Sequence, residues 1–185
     1  VLGLIFLRFG SGDEVVSVPD AAEPGELILE PCTYPTEDGD YPADCGTLVV
    51  SENQAEPGSQ LIALPVVRIR AQSAEPGEPI FYLTGGPGQS NMEVEIASRF
   101  VADRDLVLVG YRGIDGSVRL DCPEVTSVFD TSTEWLGEEH QRLYAAAFRA
   151  CADRLGEDVD LARYGLAYQV EDLEAARRAL GYDRI

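Results

Sequence analysis

Lysine is missing from this sequence of 185 residues, and its 14 basic residues are all arginine. The 33 acidic residues outnumber them and give a net charge of -19. A field of this sign repels nucleic acid and anionic membrane surfaces, so we expect no nucleic-acid partner. The charge indicates an acidic exported or salt-adapted protein and does not select a particular ligand.

Long apolar runs are also missing. The run VLGLIFL at the start of the sequence is far shorter than the roughly 20 residues that cross a bilayer. It is either the remnant of a signal peptide or membrane anchor, or a terminal strand or disordered leader. Acidic residues and prolines after it are typical of an exposed linker. We expect a leader and linker over 1–30 and a domain over 31–185, with a cysteine-containing insertion at about 117–165.

Metal-binding residues are scarce, because the sequence has a single histidine and four cysteines, none of them in a C-x-x-C pair. This set does not complete a plausible zinc site, so we expect neither a metal nor another cofactor. His140 lies in the polar run GEEHQR, which predicts a solvated surface position.

The four cysteines, Cys32, Cys45, Cys122 and Cys151, allow three pairings. Cys32 and Cys45 enclose a loop of prolines and turn formers, and a bridge there would contribute about 3 kcal/mol for a loop of roughly 15 residues. Cys151 lies on the apolar face of a predicted helix, where it can meet Cys122. Two bridges predict an oxidising compartment, with the protein secreted or in the cell envelope. Four buried thiols in a cytosolic protein are the alternative.

The order of the predicted elements indicates a layered fold. CGTLVVSEN and LIALPVVRIRAQ predict an antiparallel strand pair, and PIFYLT a third strand. A short helix is expected over NMEVEIASRFVADR, and the unbroken LVLV of DLVLVGYRG favours a strand buried on both faces. A last helix over AYQVEDLEAARRALG pairs Glu174 with Arg177 or Arg178 and ends at Gly181. This alternation predicts an α/β fold with a mainly parallel sheet.

The candidate site is the glycine turn in YLTGGPGQS, which directly follows the third strand. Glycine has no Cβ, so the backbone N–H groups of Gly85 and Gly86 can approach a bound group closely. Donors fixed in this way suit an oxyanion. A tight connection from a strand to a helix is the alternative interpretation of the same glycines.

This turn resembles the HGGPG oxyanion segment of the α/β-hydrolase fold, in the branch that holds proline iminopeptidases and secreted tripeptidyl aminopeptidases. CGTLVV resembles the opening strand of that branch, and DLVLVGYRGIDGS the next strand with its D-x-R-G-x-G-x-S ending. LDCP with a cysteine-bearing helix resembles its disulfide-stapled insertion, and YQVEDLEAARRALGYDRI the helix before the nucleophile strand. The resemblance implies the N-terminal half of an α/β-hydrolase sheet, an antiparallel first strand pair followed by parallel strands with crossover helices.

The resemblance also implies roles for individual residues. The backbone N–H groups of Gly85 or Gly86 would supply half of an oxyanion hole. Arg112 would bond loops at the carboxyl edge of the sheet rather than take part in catalysis. The residues with supporting roles are Pro87, Gly88, Arg112 and Gly113.

The sequence departs from the family at several places. Thr84 stands where proline iminopeptidases carry histidine, and Gly110 and Tyr111 replace the usual Asp-Gln. The nucleophile of the family lies in a G-x-S-x-G elbow, followed by the acid and the histidine. No such motif occurs in these residues, and the resemblance places it shortly after Ile185.

The expected function is therefore that of an N-terminal fragment of a secreted serine hydrolase, an aminopeptidase-like peptidase or an esterase. It would act through an acyl-enzyme and be inactive by itself. Its partners would be a small peptide or ester substrate and the remainder of its own hydrolase domain. The alternative is a hydrolase-like binding domain without catalysis, because fold does not fix function.

Overall fold

The computed structural model describes residues 16–86, 88–129 and 136–185. The leader run VLGLIFL and Pro87 lie outside the described residues. The chain divides into two compact units, one formed by the residues up to Arg119 together with Leu166–Ile185, the other by Leu120–Gly165. In the described part of the chain, no helix combines the length and the apolar content needed to cross a membrane.

The first unit is built on a five-stranded mixed sheet with the order β1-β2-β3-β5-β4. β2 pairs antiparallel with β1 and β3, β3 pairs antiparallel with β5, and β4 runs parallel to β5. The strands are β1 (Leu27–Thr36), β2 (Gly39–Ser51), β3 (Leu61–Ile69), β4 (Ile80–Phe81) and β5 (Leu106–Val109).

The hairpin of β1 and β2 depends on two local features of the sequence. β1 contains Pro31 and Pro35, which an edge strand tolerates because its outer N–H groups have no ladder partner. Gly46 of β2 lies against β1 so closely that a Cβ there would be 1.8 Å from the carbonyl oxygen of Ile28. The strands can therefore pair in this register only with glycine at position 46.

The core of the first unit covers both faces of the sheet. Leu106 and Leu108 of β5 belong to one apolar cluster, and Val107 and Val109 belong to another. Because successive residues of a strand point to opposite faces, this alternation explains why LVLV is buried at all four positions. The second cluster includes Ala176 from the last helix.

Three helices complete the described structure, α1 (Pro123–Phe129), α2 (Glu138–Leu155) and α3 (Leu166–Ala179). α3 packs on the sheet through Ala176 and Leu173, which both join the cluster of Val107 and Val109. Its Glu174 forms ion pairs with Arg177 and Arg178, as the spacing predicts, each with a nitrogen to oxygen distance of 2.7 Å.

The predicted fold class is wrong. The sheet is mixed and rich in strands, with antiparallel pairing of β3 to β5, and it lacks the alternation of parallel strands and crossover helices that the sequence predicts. In the described residues between β4 and β5, no helix forms. The segment around Ala97 instead takes single turns, because the carboxylate of Asp38 accepts the N–H groups of Ala97 and Ser98 at 3.2 and 3.1 Å.

The second unit contains α1, α2 and a 3₁₀ turn at Leu161–Arg163. His140 of α2 is buried in it, 7% exposed, which contradicts the solvated position that the sequence predicts. Its ring stacks on Tyr144 with a centroid distance of 6.0 Å, and Phe129 packs edge-on against it at 6.5 Å. An aromatic cluster therefore buries the histidine, although its neighbours along the chain are polar.

Both disulfides that the sequence favours are present. Cys32 joins Cys45 across β1 and β2, with a Cα to Cα distance of 5.8 Å. Cys122 joins Cys151 of α2 at 5.5 Å, within the second unit. Disulfides form and persist in oxidising surroundings, so the protein belongs in such an environment.

Candidate oxyanion turn

The glycine turn begins where β4 and β5 separate. The N–H of Tyr82 donates to the carbonyl oxygen of Val107 at 2.9 Å, and this is the last backbone bond that continues the pairing of the two strands. Gly85 and Gly86 follow and are exposed. Their backbone N–H groups donate no hydrogen bond to the described residues. Two adjacent N–H groups without a described partner thus follow a half-buried edge strand.

The conformation of the turn requires glycine at position 86. Its φ is 84°, in the left-handed region that residues with a Cβ rarely adopt. Gly88 has a similar φ of 82°. At Gly85, by contrast, a Cβ would meet nothing within 4 Å, so the empty space there lies outside the folded chain. That space is what a bound group would need in order to approach the backbone.

Hydrogen bonds hold both the N–H and the carbonyl oxygen of Thr84. Its N–H donates to Asn91 Oδ1 at 2.8 Å, and its carbonyl oxygen accepts from the hydroxyl of Tyr111 at 3.2 Å. Burial raises the pKa of Tyr111, which keeps this hydroxyl protonated and able to donate. The Thr84 Oγ1 atom is buried without a hydrogen-bond partner in the described part of the chain. Such orphan hydroxyls are uncommon in folded proteins.

A cavity of about 620 Å³ lies beside the turn. Apolar walls and charged groups share its lining, and the carboxylates of Glu93 and Glu95 form no ion pair with described residues. The size is in the range of small-molecule sites, about 300–1,000 Å³. The lining residues are Tyr82, Thr84, Gln89, Ser90, Glu93, Val94, Glu95, Ile96, Arg99 and Phe100.

Arg112 is buried in a different arrangement. Its Nε and Nη2 donate to the two carboxylate oxygens of Asp172 on α3, both at 2.6 Å, and its Nη1 donates to the carbonyl oxygen of Glu52 at 2.8 Å. The guanidinium also lies 5.4 Å from the ring centre of Tyr168. These contacts tie the loop after β5 to α3 and to the end of β2.

The ion pair of Arg112 and Asp172 is costly to bury. Burial raises the pKa of Asp172 above its ordinary value, and the hydrogen bonds from Arg112 oppose that shift. The side chains are 0% and 3% exposed, so water contributes almost nothing to their solvation. A pair that is bonded on every side in this way is suited to holding elements together.

The loop from Gly110 to Ser117 packs tightly against β3. A Cβ on Gly110 would lie 2.6 Å from Pro65 Cγ, and a Cβ on Gly116 would lie 2.6 Å from the carbonyl oxygen of Ala63. The hydroxyl of Ser117 accepts the N–H of Ala63 at 2.9 Å. Ser117 is therefore engaged with the backbone of the sheet.

The residues that the resemblance names take part in different contacts. Gly85, Gly86 and Gly88 form the turn, whereas Arg112 lies in the buried ion pair and Gly113 forms a bridge with Arg119. Pro87 lies outside the described residues. The four cysteines form the two disulfides.

Two residues of the site escaped the sequence analysis. Asn91 and Asp115 fix the backbone around the turn, through bonds to Thr84 and to the N–H groups of Asn91 and Tyr111. Polar residues near glycines are common in exposed turns, so their composition predicts solvation rather than burial. Nothing in the spacing of the sequence indicated that Asn91 would be buried and Asp115 half-buried.

No group of side chains in the described residues is arranged to hold a metal ion. The sequence matches no protein-family model and no curated protein. The fold and the site define a class, a disulfide-bonded protein of an oxidising environment with a mixed five-stranded sheet.

Proposed function

We propose that this chain is part of a secreted serine hydrolase and supplies the turn that binds the oxyanion. The observation that carries the proposal is the exposed backbone of Gly85 and Gly86 at the end of β4, with N–H groups that bond to no described residue. The two disulfides support export.

The chemistry of the proposal is acyl transfer. A serine oxygen attacks a carbonyl carbon, the carbonyl oxygen gains negative charge, and N–H groups at the turn stabilise that charge in the tetrahedral intermediate. Collapse of the intermediate expels the leaving group and forms the acyl-enzyme, which water then hydrolyses. The serine, the acid and the histidine would come from chain beyond Ile185, and this chain would contribute one of the two oxyanion donors.

The cavity beside the turn supports an aminopeptidase-like peptidase over an esterase. Two carboxylates, those of Glu93 and Glu95, line it together with one cationic residue, Arg99, and form no ion pair with described residues. Tyr82 and Phe100 add aromatic walls. Carboxylates and aromatic faces both attract an ammonium group, such as the free amino end of a small peptide.

A binding domain without catalysis is the second candidate function. The observation that favours it is the exposed glycine turn beside a cavity of about 620 Å³, which can bind a ligand without any catalytic group. In that case the turn and the cavity would bind a small ligand but would face no nucleophile.

The experiment that separates the two is fluorophosphonate labelling of the native secreted protein, followed by intact mass and localisation of the adduct. We expect one labelled serine shortly beyond Ile185. A native protein that contains no such serine, or one that never labels, would favour the binding domain.

The role of the turn is tested by Gly85→Val. A Cβ at this position meets no described residue within 4 Å, so the protein should fold normally while the added methyl groups block close approach to the backbone. We expect the labelling rate to fall about 10²-fold. Gly165→Val is the matched control, because a Cβ there also meets nothing within 4 Å and the residue lies in the second unit. Equal rates for the two variants would exclude the turn from catalysis.

A further inference from the structure

Asn91 is fully buried, 0% exposed, between the ends of β4 and β5. Its side-chain Nδ2 donates to the carbonyl oxygen of Tyr82 at 3.0 Å and to that of Val109 at 2.8 Å. Tyr82 follows β4 and Val109 ends β5, so one amide group bridges two strands whose backbones have separated. The side chain thus takes the place of the backbone bonds that end with Tyr82.

The third bond of this side chain reaches the turn itself. Asn91 Oδ1 accepts the N–H of Thr84 at 2.8 Å, one residue before Gly85. The backbone N–H of Asn91 donates in turn to Asp115 Oδ2 at 3.0 Å, and the same oxygen accepts the N–H of Tyr111 at 2.8 Å. Asn91 is therefore anchored in the loop after β5 while it holds the start of the glycine turn.

Asparagine is the side chain that these partners require. Two carbonyl oxygens need two donors and one N–H needs an acceptor, and a primary amide supplies all three from one planar group. Aspartate has nearly the same shape but presents a second oxygen to the carbonyl groups of Tyr82 and Val109. Leucine would leave three buried polar groups without partners.

We propose that Asn91 is a positioning residue for oxyanion binding, and that it fixes the backbone from Tyr82 to Gly86 so that the donors of the turn are ordered before a ligand arrives. This role rests on the proposed function of the turn. Donors that are already ordered lose little entropy in the transition state, which is the basis of electrostatic preorganisation. Exposed glycines have the greatest conformational freedom to lose, so a fixed anchor next to them matters most here.

The test uses the native full-length protein with Asn91→Asp and the matched control Asn53→Asp. Asn53 is also a buried asparagine, but it bonds within its own turn, to Glu56 and to the N–H of Ala55. Hydrogen exchange measured by mass spectrometry reports on residues 82–86, and the rate of fluorophosphonate labelling gives separate values for the inactivation rate constant and the binding constant of the probe.

For Asn91→Asp at neutral pH we expect exchange within 82–86 to rise at least about tenfold at the two hydrogen-bonded N–H groups, those of Tyr82 and Thr84. The inactivation rate constant should fall at least about tenfold, while the binding constant of the probe stays within about twofold. Asn53→Asp should leave all three quantities unchanged. Acidification should partly restore protection in Asn91→Asp, measured as the exchange rate relative to that of an unstructured peptide at the same pH, because the introduced carboxyl then gains a proton that it can donate to a carbonyl oxygen. This rescue keeps the test decisive if the variant folds poorly at neutral pH.

Unchanged exchange across 82–86 would overturn the anchoring of the turn by Asn91. Faster exchange with an unchanged inactivation rate constant would show that Asn91 anchors the backbone without serving oxyanion binding, and the positioning role would be rejected. A wild-type protein that never labels would instead overturn the proposed function, and the positioning role with it.

Discussion

Arg112 shows how one buried residue can organise the loops around a sheet. Its guanidinium bonds to both oxygens of Asp172 and to the carbonyl oxygen of Glu52. A planar group with five donors suits such a position better than an ammonium group, because it meets a carboxylate with two parallel bonds. The absence of lysine from the sequence is consistent with a protein that relies on arginine for its ion pairs.

Replacing Arg112 by methionine should destabilise the protein strongly. The change leaves the carboxylate of Asp172 buried without its partner, and breaking a buried pair in this way typically costs about 3–5 kcal/mol. We expect a loss of that size in the free energy of unfolding, measured by urea denaturation.

Arg178→Met is the matched control for this change. Arg178 pairs with Glu174 at the surface, where its side chain is 72% exposed, and such pairs contribute about 0–1 kcal/mol. Losses of equal size in the two variants would contradict the structural role of Arg112.

The backbones of β1 and β2 lie closer together than a side chain at position 46 would allow. The register places Gly46 opposite Leu29, and the carbonyl oxygen of Ile28 fills the space that a Cβ would need. The bridge from Cys32 to Cys45 joins the same two strands. Close backbone approach and a covalent link therefore act together on this hairpin.

Gly46→Ala should disturb this strand pair. The added Cβ would lie 1.8 Å from a carbonyl oxygen, so the backbone must shift, and overpacking of this kind costs about 1–3 kcal/mol or more. Gly77→Ala is the control, since its Cβ would meet its nearest neighbour at an ordinary 3.7 Å. The melting temperatures of the two variants are measured by thermal unfolding with the disulfides intact. Equal melting temperatures would refute the close contact.

The pairing of α1 with α2 should weaken in acid. Hydrogen bonds from Arg154 lower the pKa of Glu124 from its ordinary 4.5 to about 2. A carboxyl group with a lowered pKa in the folded state stabilises that state fully above its unfolded pKa, and the contribution is lost as the pH falls through the folded value. We expect Glu124→Gln to flatten the pH dependence of stability between about pH 5 and about pH 2.

The urea concentration at the midpoint of unfolding, measured across that pH range, tests the prediction. Glu157→Gln is the control, since Glu157 is exposed in the same unit. Superimposable curves for wild type and Glu124→Gln would reject the contribution of this ion pair.

The sequence predicted some elements well and others poorly, for physical reasons. The pair of β2 and β3 and the double burial of β5 follow from unbroken β-branched and apolar runs, which dominate the local preference. β1 was missed because Pro31 and Pro35 are typical of loops, and only its position at the sheet edge makes them tolerable. A short helix was expected around Ala97, but the carboxylate of Asp38, which is distant in the sequence, accepts the N–H groups of Ala97 and Ser98.

Some residues of the candidate site could be predicted from the sequence, and others could not. The glycines of the turn could be recognised directly in the sequence. Asn91 and Asp172 are not, because each is a polar residue whose burial depends on partners far along the chain, Val109 and Arg112 among them. Pairings of this kind arise only when the strands and helices are already packed.

At the scale of the whole molecule, each of the two units carries its own disulfide. Cys32 and Cys45 lie in the unit with the sheet, and Cys122 and Cys151 lie in Leu120–Gly165. Each bridge restricts the unfolded chain of its own unit, so the two should contribute to stability separately.

Replacing both cysteines of the second bridge, Cys122→Ser with Cys151→Ser, should therefore act locally. We expect the free energy needed to open α1 and α2 locally to fall by about 2–4 kcal/mol. Hydrogen exchange should quicken there and stay slow in β2, β3 and β5, whereas Cys32→Ser with Cys45→Ser should give the opposite pattern. Faster exchange throughout the chain in both double variants would contradict separate contributions. Peptide mapping without reductant should recover both bridges from the wild type.

The bridge from Cys122 to Cys151 also bears on how the protein survives proteases. It spans a sequence separation of 29 residues. Cleavage of any single peptide bond between these cysteines adds one water to the mass but releases no fragment, because the bridge still joins the two pieces. The nicked chain would migrate as one species in electrophoresis until a reductant is added.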